Sequence, residues 1–450
     1  MSRLFNPLCW GLILSLGLVP VQAQSFNKLL EQGSALAVKG KSDAAIQNLS
    51  QAAQLKPNDP DVQFFLGVAY RDKNELETAL GFFQKANTLR PKDGSTLSNL
   101  GIVLSRLKRY DEAISNYNSA IAVEPRNPNY YINLGQALRD KGEYPQAVEA
   151  LKKGLALKPK DLIPAYGYLA EALDKTKAYP EALQYFGLVL KARPKDLPAA
   201  YGKARILKEQ GNTAEAITAY EALTAFKGDE AQFYVDLGQL YQTQRKLPEA
   251  VANFRQALTL NKQLPEVQIQ LAVLYRELGD LSAATQTYED YLKDHPKDGV
   301  AQASLGSLYS QLGQYDQAIP AYRAALDLSA PTADIYSNLG VALAKKSAYS
   351  EAIPILNKAI ALDAKLPLAQ KNLGIALINS GKLKEALEPS IAAVNLTPTD
   401  PEAWQIYGIA LASNSRLDES IEALETALKL KPDDAQSKEL LEQVKKAKGG

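Results

Sequence analysis

The chain repeats itself every 34 residues. SNLGIVLSRLKRYDEAISNYNSAIAVEPRN (Ser98–Asn127) is followed by INLGQALRDKGEYPQAVEALKKGLALKPKD (Ile132–Asp161), with the same residue types in the same order. From Phe26 onward, twelve such units start at residues 26, 60, 94, 128, 163, 197, 231, 265, 299, 333, 367 and 401. Ten of the eleven intervals are 34 residues; one is 35, with the extra residue near Leu162. A chain built this way cannot form one growing core. Each unit must bury its apolar face against its neighbours, so length adds units rather than domains.

Each unit carries two apolar stripes at helical spacing, parted by a short polar turn such as RLKRYDE or DKGEYPQ. The unit is therefore a helix hairpin, and the fold class is an all-α solenoid. Its eighth place is Gly or Ala throughout, from Gly33 to Gly408, and its twentieth is Ala except for Ser420. A mid-helix Gly costs about 1 kcal/mol against Ala, so its recurrence predicts a close approach of two helices. Large residues stand at complementary places, among them Leu100 and Leu134 on the first helix and Phe83, Tyr117, Phe186, Phe254 and Tyr322 on the second. A Pro ends eight units, as at Pro91, Pro125, Pro159 and Pro432. Proline cannot continue a helix and so fixes the turn into the next unit.

The Leu-Gly pair, the aliphatic or Tyr three places on, the Ala, the aromatic and the closing Pro together resemble the tetratricopeptide repeat (TPR) family. The resemblance covers about Phe26 to Asp434. It implies a right-handed superhelix with first helices lining the concave face, and twelve units are expected to exceed one turn. Ala435–Lys448, with a single apolar stripe at Leu440, Leu441 and Val444, reads as a capping helix, followed by a short Gly tail to residue 450.

Residues 1–23 read as a secretory leader: Arg3, an apolar run from Leu8 to Val19, and Val21-Gln22-Ala23 before the expected cut. The run is shorter than the ~20 residues a spanning helix needs, so no stable membrane span is expected after cleavage. The remaining chain would hold neither Cys nor Met, which suits an oxidising compartment. The expectation is an exported protein, periplasmic in the first instance, with the thylakoid lumen or the medium as alternatives. The resemblance extends to the style of exported bacterial TPR-only proteins, including those of cyanobacteria.

Charge is balanced, with 51 basic and 50 acidic residues, and this speaks against a nucleic-acid partner. No metalloprotease, nucleophile-elbow or phosphate-loop motif is present. The single histidine, His295, lies in an inter-unit turn before Pro296. Acidic pairs such as Asp111-Glu112 sit at second-helix starts, where they favour the helix dipole. The chain is read as non-enzymatic, with no cofactor implied and no room expected for a catalytic domain after the cap.

The place before the Leu-Gly diverges by about 100° from its inward neighbour, and in the resembled family it faces the groove. Here it holds Asn99, Asn133, Asp236, Gln270, Asn338 and Asn372, interrupted by Tyr168, Gly202 and Ser304. Amides both donate and accept, so two short ladders could pair with the backbone of an extended peptide, much as an asparagine ladder does in the O-linked N-acetylglucosamine transferases. Arg71, Arg139, Lys208 and Arg276 share a place near the end of the first helix and suggest a basic inner wall. The leading reading is a scaffold or adaptor binding protein or peptide clients in the concave groove. The alternative is an assembly or delivery factor for envelope or photosynthetic-membrane complexes. Metal delivery would need clustered carboxylates, and Asp61, Glu266, Asp334 and Glu402 share one groove place but in repeats far apart, so no metal site is expected. Units five and six depart most from the pattern, with Pro164, Pro198 and Gly228, and a kink is expected there.

Overall fold

The computed structural model describes residues 11–329 and 331–449, with side chains from residue 25 on. The expected leader lies outside the described residues over 1–10 and outside the described side chains throughout. Every regular element among the described residues is a helix, and the chain is an α-solenoid of hairpins. It divides into two compact units, Met1–Lys227 and Gly228–Gly450. In the first unit the helices are α1 (Gly11–Val38), α2 (Ser42–Leu55), α3 (Pro60–Asp72), α4 (Leu76–Leu89), α5 (Gly94–Arg106), α6 (Tyr110–Val123), α7 (Pro128–Lys141), α8 (Tyr144–Ala156), α9 (Ile163–Lys175), α10 (Tyr179–Ala192), α11 (Leu197–Glu209) and α12 (Thr213–Phe226). In the second they are α13 (Ala231–Thr243), α14 (Leu247–Leu260), α15 (Pro265–Glu277), α16 (Leu281–Asp294), α17 (Gly299–Gln311), α18 (Tyr315–Leu328), α19 (Ala333–Lys345), α20 (Tyr349–Leu362), α21 (Pro367–Asn379), α22 (Leu387–Leu396), α23 (Pro401–Ser413), α24 (Leu417–Leu430) and α25 (Ala435–Gly449). Odd-numbered helices through α23 are the first helices of the repeats. Eleven of these twelve begin at the residue the sequence period marks, so the period is the structural frame.

Two local devices set each frame. At the fifteenth place the backbone turns left-handed in all twelve hairpins: at Gly40, Gly142, Gly211, Gly279, Gly313 and Gly381, and also at Asn74, Lys108, Lys177, Arg245, Ser347 and Ser415. The next residue's N–H reaches back five residues, as from Arg109 to the Leu104 carbonyl (2.8 Å) and from Glu143 to that of Leu138 (2.8 Å). This closure satisfies carbonyls at the end of the first helix and reverses the chain. Between repeats, Pro-x-Asp or Pro-x-Asn supplies the second device. Pro stops the second helix, and Asp59, Asp93, Asn127, Asp196, Asp298 and Asp400 cap the following first helix with side-chain oxygens.

The small eighth place works as expected. A Cβ on Gly101 would meet Tyr117 Cε1 at 2.5 Å, and one on Gly67 would meet Phe83 Cδ1 at 2.8 Å. Where the eighth place is Ala170, the ring finds another recess: Phe186 packs on Gly202 of the following repeat. That contact explains the glycine that interrupts the amide row. Repeat eleven departs in a way the sequence period does not announce. Pro389 removes the N–H that would bond the Glu385 carbonyl, and residues 383–386 form a turn closed by three-residue bonds (Glu385 N–H to Lys382 O, 3.1 Å). Helix α22 is thereby cut to 10 residues.

The chain ends on α25, whose buried Leu441 and Val444 cover Leu424. Gln405 donates to Asp434 (3.1 Å) and Ser437 (3.0 Å), tying the final first helix to the start of α25. Among the described residues, no helix is long and apolar enough to cross a membrane.

Candidate functional site

Each hairpin packs on the next, but the two kinds of helix differ in a further contact. In Met1–Lys227, α3 touches α5, α5 touches α7, α7 touches α9 and α9 touches α11; in Gly228–Gly450, α17 touches α19, α19 touches α21 and α21 touches α23. Successive second helices make no comparable contact among the described residues. Along α3–α11 in the first unit and α17–α23 in the second, the first helices therefore form the closer-packed row, and the candidate groove places lie on the first helices.

In Met1–Lys227 the row is laced together by its own polar side chains. Arg71 donates to Asp72 (2.8 Å) and, across the repeat boundary, to the Asn99 carbonyl oxygen. Arg106 returns to the Arg71 carbonyl (3.1 Å) and to Asn74 (2.9 Å). The Asn99 amide nitrogen donates to the Ser95 carbonyl at 2.9 Å, and that of Asn133 to the Ser98 hydroxyl at 3.4 Å. Arg139 pairs with Asp140 (2.6 Å) and Glu171 (2.7 Å) and lies over the Tyr168 ring, 4.5 Å from its centroid. Burial pushes the Glu171 carboxyl above the usual range, against the pull of Arg139. Arg205 bridges α11 back to Asp174 on α9. Lys208 is half-buried on the same helix. The expected basic wall is thus present in residue type, but Arg71 and Arg139 spend their charge on neighbouring repeats.

The row in Gly228–Gly450 is different. Asp236 and Asn372 are buried (5% exposed each), whereas Gln270 and Asn338 are half-buried. The expectation that this place always stays clear of the core is corrected for Asp236 and Asn372. Asn372 stands on α21, a first helix that touches first helices on both sides, α19 and α23. The Asn372 amide donates to its own helix at Leu368 O (2.9 Å), while Asn338 makes no side-chain hydrogen bond among the described residues. Arg276 is exposed and makes no ion pair there. Lys371 links α21 to the next repeat through Asp400 (2.8 Å) and Glu402 (2.6 Å). Burial works against its charge, but the two carboxylates outweigh burial and raise its pKa.

Two features of this second row escaped the sequence reading. Val300 (72% exposed) and Leu368 (54%) stand at the second place of first helices α17 and α21. They alternate there with Glu266, Asp334 and Glu402, and the signal was present in the column of second-place residues. The balanced total charge also conceals a division. Met1–Lys227 has 29 basic and 22 acidic residues, and Gly228–Gly450 has 22 basic and 28 acidic.

Candidate chemistry elsewhere is structural. His295 stacks on Tyr291 (centroids 4.4 Å apart), with Nδ1 3.1 Å from the Tyr291 carbonyl. Burial and the hydrogen bond to Asp298 push the Tyr291 hydroxyl up to about 12. The four carboxylates at one groove place are not brought together: Asp61 pairs with Arg90 (2.6 Å) and Glu402 with Lys371. No group of three or more metal-type ligands occurs among the described residues.

Family models described as tetratricopeptide repeat match residues 30–94, 92–160, 175–236, 242–308, 333–366 and 371–435, and one described as TPR repeat matches 306–347. No curated protein matches the chain. Among solved structures it is similar to YrrB, described as a TPR protein with an unusual peptide-binding site, at 26% identity over 43% of this chain and 97% of that one, with a TM-score of 0.38. It is similar to a tetratricopeptide repeat protein from Parabacteroides merdae ATCC 43184 at 21% identity over 56% and 99% of the two chains, with a TM-score of 0.40. It is also similar to the APC/C hetero-tetramer Cut9-Hcn1 at 15% identity over 93% and 96%, with a TM-score of 0.39.

Proposed function

Because this chain belongs to the tetratricopeptide repeat family, we propose that it is a non-catalytic scaffold that binds extended segments of other proteins along its row of first helices. The observation that supports this most is the unfinished surface of the row in Gly228–Gly450. Asn338 has both halves of its amide to offer, and Val341 and Ile375 remain half-buried beside it. Such a surface gains from a bound main chain through hydrogen bonds and from its side chains through apolar burial. The leader motif supports export, with cleavage after Ala23, which N-terminal sequencing of protein from its source cells would check.

The test is capture of clients from a source-cell extract by the full chain, beside Asn133→Ala/Asn338→Ala and Val341→Lys/Ile375→Lys variants first shown by circular dichroism to keep their helix content. Asn99 and Asn372 are left intact because their amides make the shorter bonds to the fold, 2.9 Å each against 3.4 Å from Asn133 to Ser98. Loss of one client from both variants is the expected result. Equal capture by all three proteins would exclude the groove.

A further inference from the structure

Successive second places of α15, α17, α19, α21 and α23 carry Glu266, Val300, Asp334, Leu368 and Glu402. They lie one per repeat along a single row, so acidic and aliphatic groups alternate over five neighbouring repeats. The aliphatic members are not packing residues, since Val300 is 72% and Leu368 54% exposed. Glu266 and Asp334 form no ion pair among the described residues, and Glu402 shares Lys371 with Asp400, a cluster that keeps a net negative charge. Apart from Lys371 at Glu402, no cation pairs with the row among the described residues, whereas Arg71, Arg106, Arg139 and Arg205 lace the other unit. Its charge agrees in sign with the acidic excess of Gly228–Gly450 as a whole.

We propose that this row docks a partner segment in which basic and aliphatic side chains alternate, the basic ones meeting Glu266, Asp334 and Glu402 and the aliphatic ones meeting Val300 and Leu368. The proposal rests on the groove reading above and names the class of client it takes. Spacing adds a register. Helices α17, α19, α21 and α23 touch in turn. Touching helices lie about 8–10 Å apart, close to the rise of about 9 Å per three-residue turn of a polyproline II chain. The register is therefore set by Val300, Asp334, Leu368 and Glu402, with Glu266 on α15 beyond it. One residue in three therefore faces one repeat, and the recognised pattern is basic-x-x-aliphatic-x-x-basic. An acidic or nucleic-acid partner meets like charge on this surface.

The probe is the peptide Lys-Pro-Pro-Leu-Pro-Pro-Lys-Pro-Pro-Leu-Pro-Pro-Lys, which holds the polyproline II form. Its control has Glu in place of each Lys. Both are titrated into the full chain and into two variants, Glu266→Lys/Asp334→Lys and Val300→Asp/Leu368→Asp, all at exposed positions. The Lys peptide is expected to bind and to weaken with salt. It should lose about tenfold or more in affinity, some 1.4 kcal/mol, on either variant. The Glu peptide should bind only the charge-reversed variant. Equal binding of the two peptides by the parent, with loss on Val300→Asp/Leu368→Asp, would overturn the charge class and leave the groove reading standing. Binding indifferent to all four substitutions would sink both for this unit. Failure of the Lys peptide to bind at millimolar concentration would overturn the inference, while client capture would still decide the groove.

Discussion

The first-helix rows of Met1–Lys227 and Gly228–Gly450 share one frame and carry opposite surfaces. In the first, arginines reach from repeat to repeat and close on Asn99, Glu171 and Asp174. In the second, aliphatic and acidic side chains face outward, and Lys371 ties α21 to the next repeat. The places that hold a hairpin together, the small eighth and twentieth, the left-handed fifteenth and the capping Asp, are not the places that face the groove. A repeat can therefore change its surface without changing its fold. One half of this chain uses that freedom for internal cross-linking, and the other keeps aliphatic and acidic side chains exposed.

The comparison would break first in the packing beneath the rows. Gly101→Ala drives a methyl into the buried Tyr117 ring, which has no room to move, and overpacking of this kind costs about 1–3 kcal/mol. Gly374 sits under a smaller roof. There a Cβ would meet Ser390 Oγ at 3.0 Å and Ile406 Cγ2 at 3.1 Å. The better helix propensity of Ala, worth up to about 1 kcal/mol, then offsets the tighter contact. Gly374→Ala is expected to fall between no change and a gain of about 1 kcal/mol. Urea unfolding followed by circular dichroism separates the two, and equal losses would mean that the eighth place is uniformly tight.

A smaller effect sharpens the contrast of the surfaces themselves. Arg139→Ala leaves the partly buried Glu171 without its guanidinium and uncovers Tyr168. The expected loss is about 1 kcal/mol, because the Glu171 side chain is 40% exposed and solvent screens the pair. Arg276 occupies the same place in its repeat but is exposed and makes no ion pair among the described residues, so Arg276→Ala should stay within about 0.5 kcal/mol. Native-state hydrogen exchange at α7 and α15 reads each change locally. Similar losses at the two sites would show that the second row is cross-linked as firmly as the first.

Much of this was legible because the period writes each packing decision twelve times. The hairpins, their boundaries and the close approach at the eighth place follow from residue type and spacing. Pairing along the rows was less legible. Whether Arg71 faces a ligand or Asn99 depends on how one repeat rolls onto the next, and no single column of residues fixes that angle. Pro389 was visible but its consequence was not, since Pro320 and Pro354 stand one place earlier in their repeats and remain inside full-length helices. The alternation of Glu266, Val300, Asp334, Leu368 and Glu402 was in plain sight. It gains meaning only once Val300 and Leu368 prove to be exposed, because an aliphatic residue on a repeat helix is ordinarily a packing residue.

The smallest effect tests the premise that the frame is common to both halves. Lys177 and Ser347 hold the left-handed fifteenth place with φ of 61° and 60°, where six other repeats use glycine. An L side chain in that region costs about 1–2 kcal/mol. Part of the gain from removing it is offset because glycine raises the entropy of the unfolded chain, so Lys177→Gly and Ser347→Gly should each stabilise by about 0.5–1 kcal/mol. Lys177 acts on Glu209 only through space, and Ser347 accepts one long hydrogen bond from Tyr349 (3.4 Å), so neither loss should cancel the gain. With no shared partner, the two gains should add in the double variant. Equal gains, read from urea midpoints, fit one turn geometry serving two surfaces. A gain at one site alone would mean that the halves differ in their frame as well as in the face they present.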